Sequence, residues 1–109
     1  MAQEKESPQI AALREQLNTI AQKIGELEGE RDEHLLVIET LSSVEPERIC
    51  YRLVDRVLVE GTQKQVLPII KSNLLGIREI MKSLGGSYAN IEQEIQKLAT
   101  PLVNNMNCV

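Results

Sequence analysis

Apolar residues recur at alternating three- and four-residue spacings along two long stretches of the chain. The first series contains Ile10, Leu13, Leu17, Ile20, Ile24, Leu27, Ile38 and Leu41, with Arg31 and His34 at its two polar positions. The second series contains Ile70, Leu74, Ile77, Met81, Leu84, Tyr88, Ile91, Ile95, Leu98 and Leu102. This spacing places one stripe of side chains along a helix, and over four heptads it predicts a coiled coil.

The ends of the two predicted helices carry capping residues. Ser7 is a suitable N-cap before Pro8, which favours the first helical position. Helix 1 is predicted over residues 8–44, because Pro46 disfavours helix in the residue before it. Thr62 and Gln65 form a capping-box pair that starts helix 2 at residue 63.

Helix 2 contains residues that disfavour helix. Pro68 falls in its first turns and predicts a kink or a short separate turn. Gly85-Gly86 also disfavours helix, but the apolar spacing continues in phase through it, so we expect continuous helix. A break there, giving three helices, is the alternative. Pro101 predicts the end of the helix near residue 100 and a flexible tail over 101–109.

Residues 50–62, CYRLVDRVLVEGT, lack helical spacing and are rich in β-branched residues. They predict two strands, Ile49–Val54 and Val57–Thr62, that pair about Asp55-Arg56. A tight type I′ turn requires positive φ at both central residues, which is costly for Arg. The sequence therefore predicts a looser, exposed type I corner at Asp55-Arg56.

These elements predict a mainly α fold in one domain over residues 1–109. Two helices form an antiparallel coiled coil, and one β-hairpin lies at its connecting end. A two-stranded hairpin is only marginally stable in water, and its open edges can pair with strands of another chain. We therefore expect the hairpin to act in oligomerisation.

Apolar residues outside the two series cluster next to the hairpin, at Leu35, Leu36, Val37, Val66, Leu67 and Ile69. A two-helix hairpin is not expected to bury them, and a leftover apolar patch favours an interface. The residues predicted to act in subunit assembly are Cys50, Tyr51, Leu53, Val54, Val57, Leu58, Val59, Leu36, Val37 and Leu67.

Composition and charge argue against several classes of function. Two tyrosines are the only aromatic residues, which favours an elongated coiled coil over a compact globule. The net charge is −4 without a basic stripe, so nucleic acid is not an expected partner. The sequence predicts neither a signal peptide nor a membrane span. Cys50 and Cys108 lack disulfide or metal spacing, which favours a reducing compartment with free thiols.

The sequence predicts no catalytic residue, metal or cofactor, and we do not expect an enzyme. His34 is the only histidine, and there is no glycine-rich phosphate loop or nucleophile–base pair. Arg31 either fixes the helix register or extends to solvent. Cys50 is expected to be a small buried apolar residue.

The run from Asp32 to Pro68 resembles the signature of beta-class prefoldin subunits. The matching residues are Glu33-His34, Val37-Ile38, Thr40-Leu41, Pro46, Arg48, Cys50-Tyr51-Arg52, Val57-Leu58-Val59-Glu60, Thr62 and Val66-Leu67-Pro68. Beta-class subunits carry one hairpin and alpha-class subunits carry two, so the single predicted hairpin fits the beta class.

The resemblance implies a function and partners. Prefoldin is a hetero-hexamer of two alpha-class and four beta-class subunits whose hairpins form a double β-barrel platform. It is an ATP-independent cytosolic holdase that binds unfolded proteins, notably actin and tubulin, at the tips of its coiled coils. It delivers them to the group II chaperonin.

The sequence departs from the family at three places. The family has Gly-Gly where this chain has Asp55-Arg56, and Arg where this chain has Gly61. The second helix stops earlier, near Pro101, so substrate contacts of the family are not transferred to this end.

The helix ends opposite the hairpin are the predicted client-binding tips, with apolar side chains that can repack around varied clients. The residues are Ile10, Leu13, Leu98, Leu102, Val103 and Met106. For each, plain coiled-coil core or a disordered tail is the alternative. For the whole chain, the alternative is a structural coiled-coil hairpin or scaffold subunit, including one in a prefoldin-like complex without chaperone activity.

Overall fold

A computed structural model describes residues 7–99 of the chain. The elements follow in the order α1 (Pro8–Ser42), β1 (Ile49–Val54), β2 (Val57–Thr62) and α2 (Gln63–Ala99). Two long helices joined by a two-stranded antiparallel hairpin confirm the predicted fold class. The predicted tail over 101–109 lies outside the described residues.

The first helix begins and ends close to the predicted residues. The backbone N–H of Ile10 donates to Ser7 Oγ at 3.2 Å, which is the expected N-cap bond. The helix ends at Ser42, two residues before the predicted end. Val44 N–H then bonds to the Leu41 carbonyl at 3.0 Å, so the chain leaves α1 through a tighter turn.

The second helix starts with the predicted capping box. Gln65 N–H donates to Thr62 Oγ1 at 3.2 Å, and Thr62 N–H donates to Gln65 Oε1 at 3.0 Å. The helix continues through Pro68, so the expected separate turn does not form. It also continues through Gly85 and Gly86, which confirms the prediction of unbroken helix. Neither glycine has an atom within 4 Å of where a Cβ would lie.

The predicted apolar series match the buried sides of the helices. On α1, the residues that are buried or half-buried are those of the first series, including Arg31 and His34. On α2, the same holds from Ile70 to Ile95, whereas Leu98 is exposed. The spacing therefore predicts the packed stripe correctly over residues 10–41 of α1 and residues 70–95 of α2.

The chain divides into two compact units, Leu27–Ile80 and the combination of Met1–Glu26 with Met81–Val109. In the first unit, Gln63 Nε2 donates to the Leu41 carbonyl at 2.8 Å, and Gln63 is buried. The Leu41 carbonyl has no partner within its own helix, and it accepts from Gln63 as well as from Val44 N–H. In the second unit, Leu13 and Ile95 supply buried apolar side chains.

Candidate assembly surface

The hairpin closes through a two-residue turn. Val54 pairs with Val57, and Asp55 and Arg56 have φ values of 49° and 69°. Positive φ at both central residues is the mark of a type I′ turn, so the predicted type I corner is wrong. The reason is that the type I′ twist matches the right-handed twist of two paired strands. Strand pairing therefore outweighs the preference of Arg for negative φ.

The register divides the hairpin side chains between two faces. Paired residues share a face, because side chains alternate along each strand. We define the Tyr51 face as Ile49, Tyr51, Leu53, Leu58, Glu60 and Thr62. We define the Cys50 face as Cys50, Arg52, Val54, Val57, Val59 and Gly61.

Both faces of the hairpin carry exposed apolar side chains. On the Tyr51 face, Leu53 is 72% exposed and Tyr51 is 61% exposed, and Ile49 and Leu58 are also exposed. On the Cys50 face, Val54, Val57 and Val59 are exposed. Full burial of one such side chain contributes about 1.5–3 kcal/mol, so covering either face would stabilise a complex considerably.

The base of the hairpin packs closely on the start of α2. A Cβ at Gly61 would lie 3.1 Å from Val66 Cγ2 and 3.5 Å from Gln65 Oε1. Val66 is only 6% exposed, so the expectation that it remains unburied beside the hairpin is wrong. Because Gly61 has no side chain, the Val66 side chain can pack in the space beside it. This explains why glycine suits a position where the resemblance implies arginine.

The rest of the predicted patch is divided between exposed and half-buried residues. Leu35, Leu36, Val37 and Ile69 are exposed, whereas Leu67 is half-buried. Leu75 and Ile80 are also exposed, and sequence reasoning missed them. Both are apolar residues of α2 that lie outside the second apolar series, and this position was the available sign that they would be exposed. A role of the predicted patch residues Leu35, Leu36, Val37, Leu67 and Ile69 in assembly stays a prediction.

The polar residues singled out in the sequence make local contacts. His34 Nδ1 lies 2.7 Å from the Glu30 carbonyl, which sets this nitrogen as the donor. Arg31 Nε lies 3.1 Å from Asp32 Oδ1. Cys50 is half-buried rather than buried, and its Sγ lies 3.6 Å from the Arg48 carbonyl.

Among residues 7–99, no group of three or more His, Cys, Asp or Glu side chains could hold a metal ion. Neither described helix is both long enough and apolar enough to span a membrane.

The predicted client-binding residues are only partly described. Leu13 is 8% exposed, Ile10 is half-buried and Leu98 is exposed. Leu102, Val103 and Met106 lie outside the described residues. Leu13 therefore needs local opening of the helix pair before it can contact a client, whereas Leu98 does not.

Comparisons with known proteins agree on one family. A family model described as "Prefoldin subunit" matches residues 4–106. "Probable prefoldin subunit 2" of Schizosaccharomyces pombe is 43% identical over 89 residues, which are 82% of this chain and 78% of the relative. Human "Prefoldin subunit 2" is 47% identical over 72 residues, 66% of this chain. The matched segment spans only 47% of the human protein's length.

A solved structure shows the same fold. The prefoldin beta subunit from Thermococcus strain KS-1 superposes with a TM-score of 0.51. The match covers 91% of this chain and 99% of that chain at 18% identity.

Proposed function

The chain belongs to the prefoldin family of co-chaperone subunits, and we propose that it acts as a beta-class subunit of a cytoplasmic prefoldin hetero-hexamer. Its partners there are alpha-class and further beta-class subunits. The complex is an ATP-independent holdase that binds unfolded proteins such as actin and tubulin and passes them to the group II chaperonin.

The observation that carries the assembly role is the exposure of apolar side chains on both faces of the hairpin. Such a hairpin is only marginally stable alone in water, and further strands or a packing surface would stabilise it. Strands of other subunits would supply both, because they extend the sheet and cover its faces. The neighbouring exposed residues Leu36 and Val37 extend the apolar surface along α1.

The proposed holdase role rests on the start of α1 and the end of α2. Leu98 presents an apolar side chain to solvent near the end of α2. One such contact is weak, so retention of a client requires several subunits to bind it together. Assembly through the hairpin therefore precedes client binding in this proposal.

Assembly is tested by measuring the mass of the purified chain, alone and mixed with alpha-class and further beta-class subunits. We expect a hexamer only in the mixture. Leu53→Asp should prevent it, because this side chain lies on the hairpin, whereas Leu75→Asp on α2 is the matched exposed control. A mixture that gives no hexamer with the unaltered chain would contradict the proposal.

The holdase role is tested by removing residues 1–12 and 98–109, so that Leu98 is removed as well. The truncated chain should still assemble but should no longer suppress aggregation of an unfolded protein. Unchanged suppression would exclude the helix ends as the binding site. A complex that assembles but never suppresses aggregation, even with the full chain, would instead indicate a scaffold subunit.

A further inference from the structure

One residue lies where the two helices and the hairpin meet. Gln63 is the first residue of α2, and it directly follows the last residue of β2. Its side chain donates from Nε2 to the Leu41 carbonyl at the end of α1, at 2.8 Å. Its backbone N–H donates to the Arg48 carbonyl, just before β1, at 2.9 Å. Gln63 therefore connects all three parts of the subunit.

The segment between α1 and β1 is also held against the start of α2. Lys64 N–H donates to the Pro46 carbonyl at 3.0 Å, next to the bond between Gln63 and Arg48. Arg48 N–H donates to the Glu45 carbonyl at 3.0 Å, which closes a turn over residues 45–48. Both strands are thus tied to α2, since β2 continues directly into it and β1 is held through this segment.

The side-chain bond of Gln63 has a different role from these backbone bonds. The backbone bonds hold the hairpin to α2, and none of them involves α1. The bond from Nε2 joins α1 to α2, and within residues 27–80 no other side-chain hydrogen bond joins the two helices. Apolar packing is not directional, whereas a hydrogen bond requires a defined distance and angle. The Gln63 side chain therefore sets how the end of α1 meets the other elements.

The burial of Gln63 supports a geometric role. Among residues 7–99, it is the only polar residue that is buried, with 8% of its surface exposed. The Leu41 carbonyl already accepts from Val44 N–H at 3.0 Å, so it does not need Gln63 as a partner. Burial of an amide costs free energy unless it is hydrogen-bonded. What a bonded amide adds over an apolar side chain is a single defined arrangement of the elements around it.

We propose that Gln63 is a positioning residue that fixes the direction in which the hairpin leaves the two helices. This inference rests on the proposed function, because direction matters when several subunits present their hairpins to one another. A subunit without the bond would still fold, but its hairpin would sample several directions. Only a fraction of these would fit the complex, and the apparent affinity for the other subunits falls by that fraction.

Gln63→Met tests the proposal, because methionine fills a similar space but cannot donate a hydrogen bond. The probe is the set of other Schizosaccharomyces pombe prefoldin subunits, mixed with this chain in place of their own subunit 2. Gln63→Met should lower the fraction of chain incorporated about three- to tenfold. Gln93→Met, the same change at an exposed position of α2, should leave incorporation unchanged.

Unfolding in urea shows whether the loss comes from positioning or from stability. The midpoint for Gln63→Met should stay close to that of the unaltered chain, because an apolar side chain replaces the amide and the Leu41 carbonyl keeps its bond from Val44. A fall in stability that accounts for the whole loss of incorporation would overturn the positioning role.

Amide hydrogen exchange in the free chain gives a second measurement. In Gln63→Met, the amides of Val44 and Lys64 should exchange about threefold faster or more, whereas those of Val54 and Val57 inside the hairpin should not change. Unchanged exchange at Val44 and Lys64, or equal acceleration at all four amides, would overturn the proposal. Normal incorporation of Gln63→Met would overturn the positioning role alone, whereas failure of the unaltered chain to join the complex would overturn the proposed function with it.

Discussion

Replacing Arg56 with glycine is expected to slow local opening of the β-hairpin. Arg56 has a φ of 69°, in the left-handed region that residues other than glycine rarely adopt. Asp55, with a φ of 49°, tolerates this region better because its short polar side chain can bond locally. The strain of the turn therefore lies mainly at Arg56.

The size of the effect follows from two opposing contributions. Relief of the left-handed conformation stabilises the turn by about 1–2 kcal/mol. Glycine also loses more conformational entropy on folding, which costs about 0.5–1 kcal/mol. The net gain of about 0.5–1 kcal/mol lowers the population of open hairpin, and hence the rate of amide exchange, about two- to fivefold.

Amide hydrogen exchange at Val54 and Val57 measures this opening, because both amides close the turn. Arg56→Ala is the matched control, since it removes the same side chain but keeps the strained conformation. Only the glycine variant should slow exchange. If both variants slow it equally, the effect belongs to the side chain, and if neither does, the turn is not strained.

Two further predictions concern stability against urea, followed by helix content. Leu27→Ala should cost about 2–4 kcal/mol, because Leu27 is only 4% exposed. Leu75→Ala should change stability by less than about 0.5 kcal/mol, because Leu75 is 63% exposed, and an equal loss in both would contradict the assigned buried stripe. Gln65→Ala should cost about 1 kcal/mol by breaking the capping box. Gln65→Glu should keep the original stability, since Glu suits the same position of the capping box. A loss of stability in both variants would show that Gln65 does not stabilise α2 through the capping box.

The helices and strands could be predicted because their signals are local. The packed stripe containing Leu27 and Leu74 follows from spacing alone, since helical geometry fixes which side chains share a face. The reciprocal bonds of Thr62 and Gln65 connect residues three apart, so a short sequence pattern specifies them. Proline at position 68 was misleading, because it lies beyond the first turn of α2 and the helix nevertheless continues through it.

The turn conformation and the packing at the base of the hairpin could not be predicted, because they depend on contacts between separate elements. The φ values at Asp55 and Arg56 are set by the twist of two paired strands. Burial of Val66 depends on the absence of a side chain at Gly61, a fact visible only once strand and helix are packed together. Leu53 was expected as an assembly residue, and the structure shows that its side chain is exposed.

The exposed helical glycines give this subunit a route to greater thermal stability. Gly25, Gly29, Gly76, Gly85 and Gly86 are all exposed, and a Cβ at any of them would meet nothing within 4 Å. Alanine favours helix over glycine by about 1 kcal/mol at each position. Five alanines together approach the whole stability of a small domain. A heat-resistant version could thus be engineered without changing the packed stripe or the hairpin.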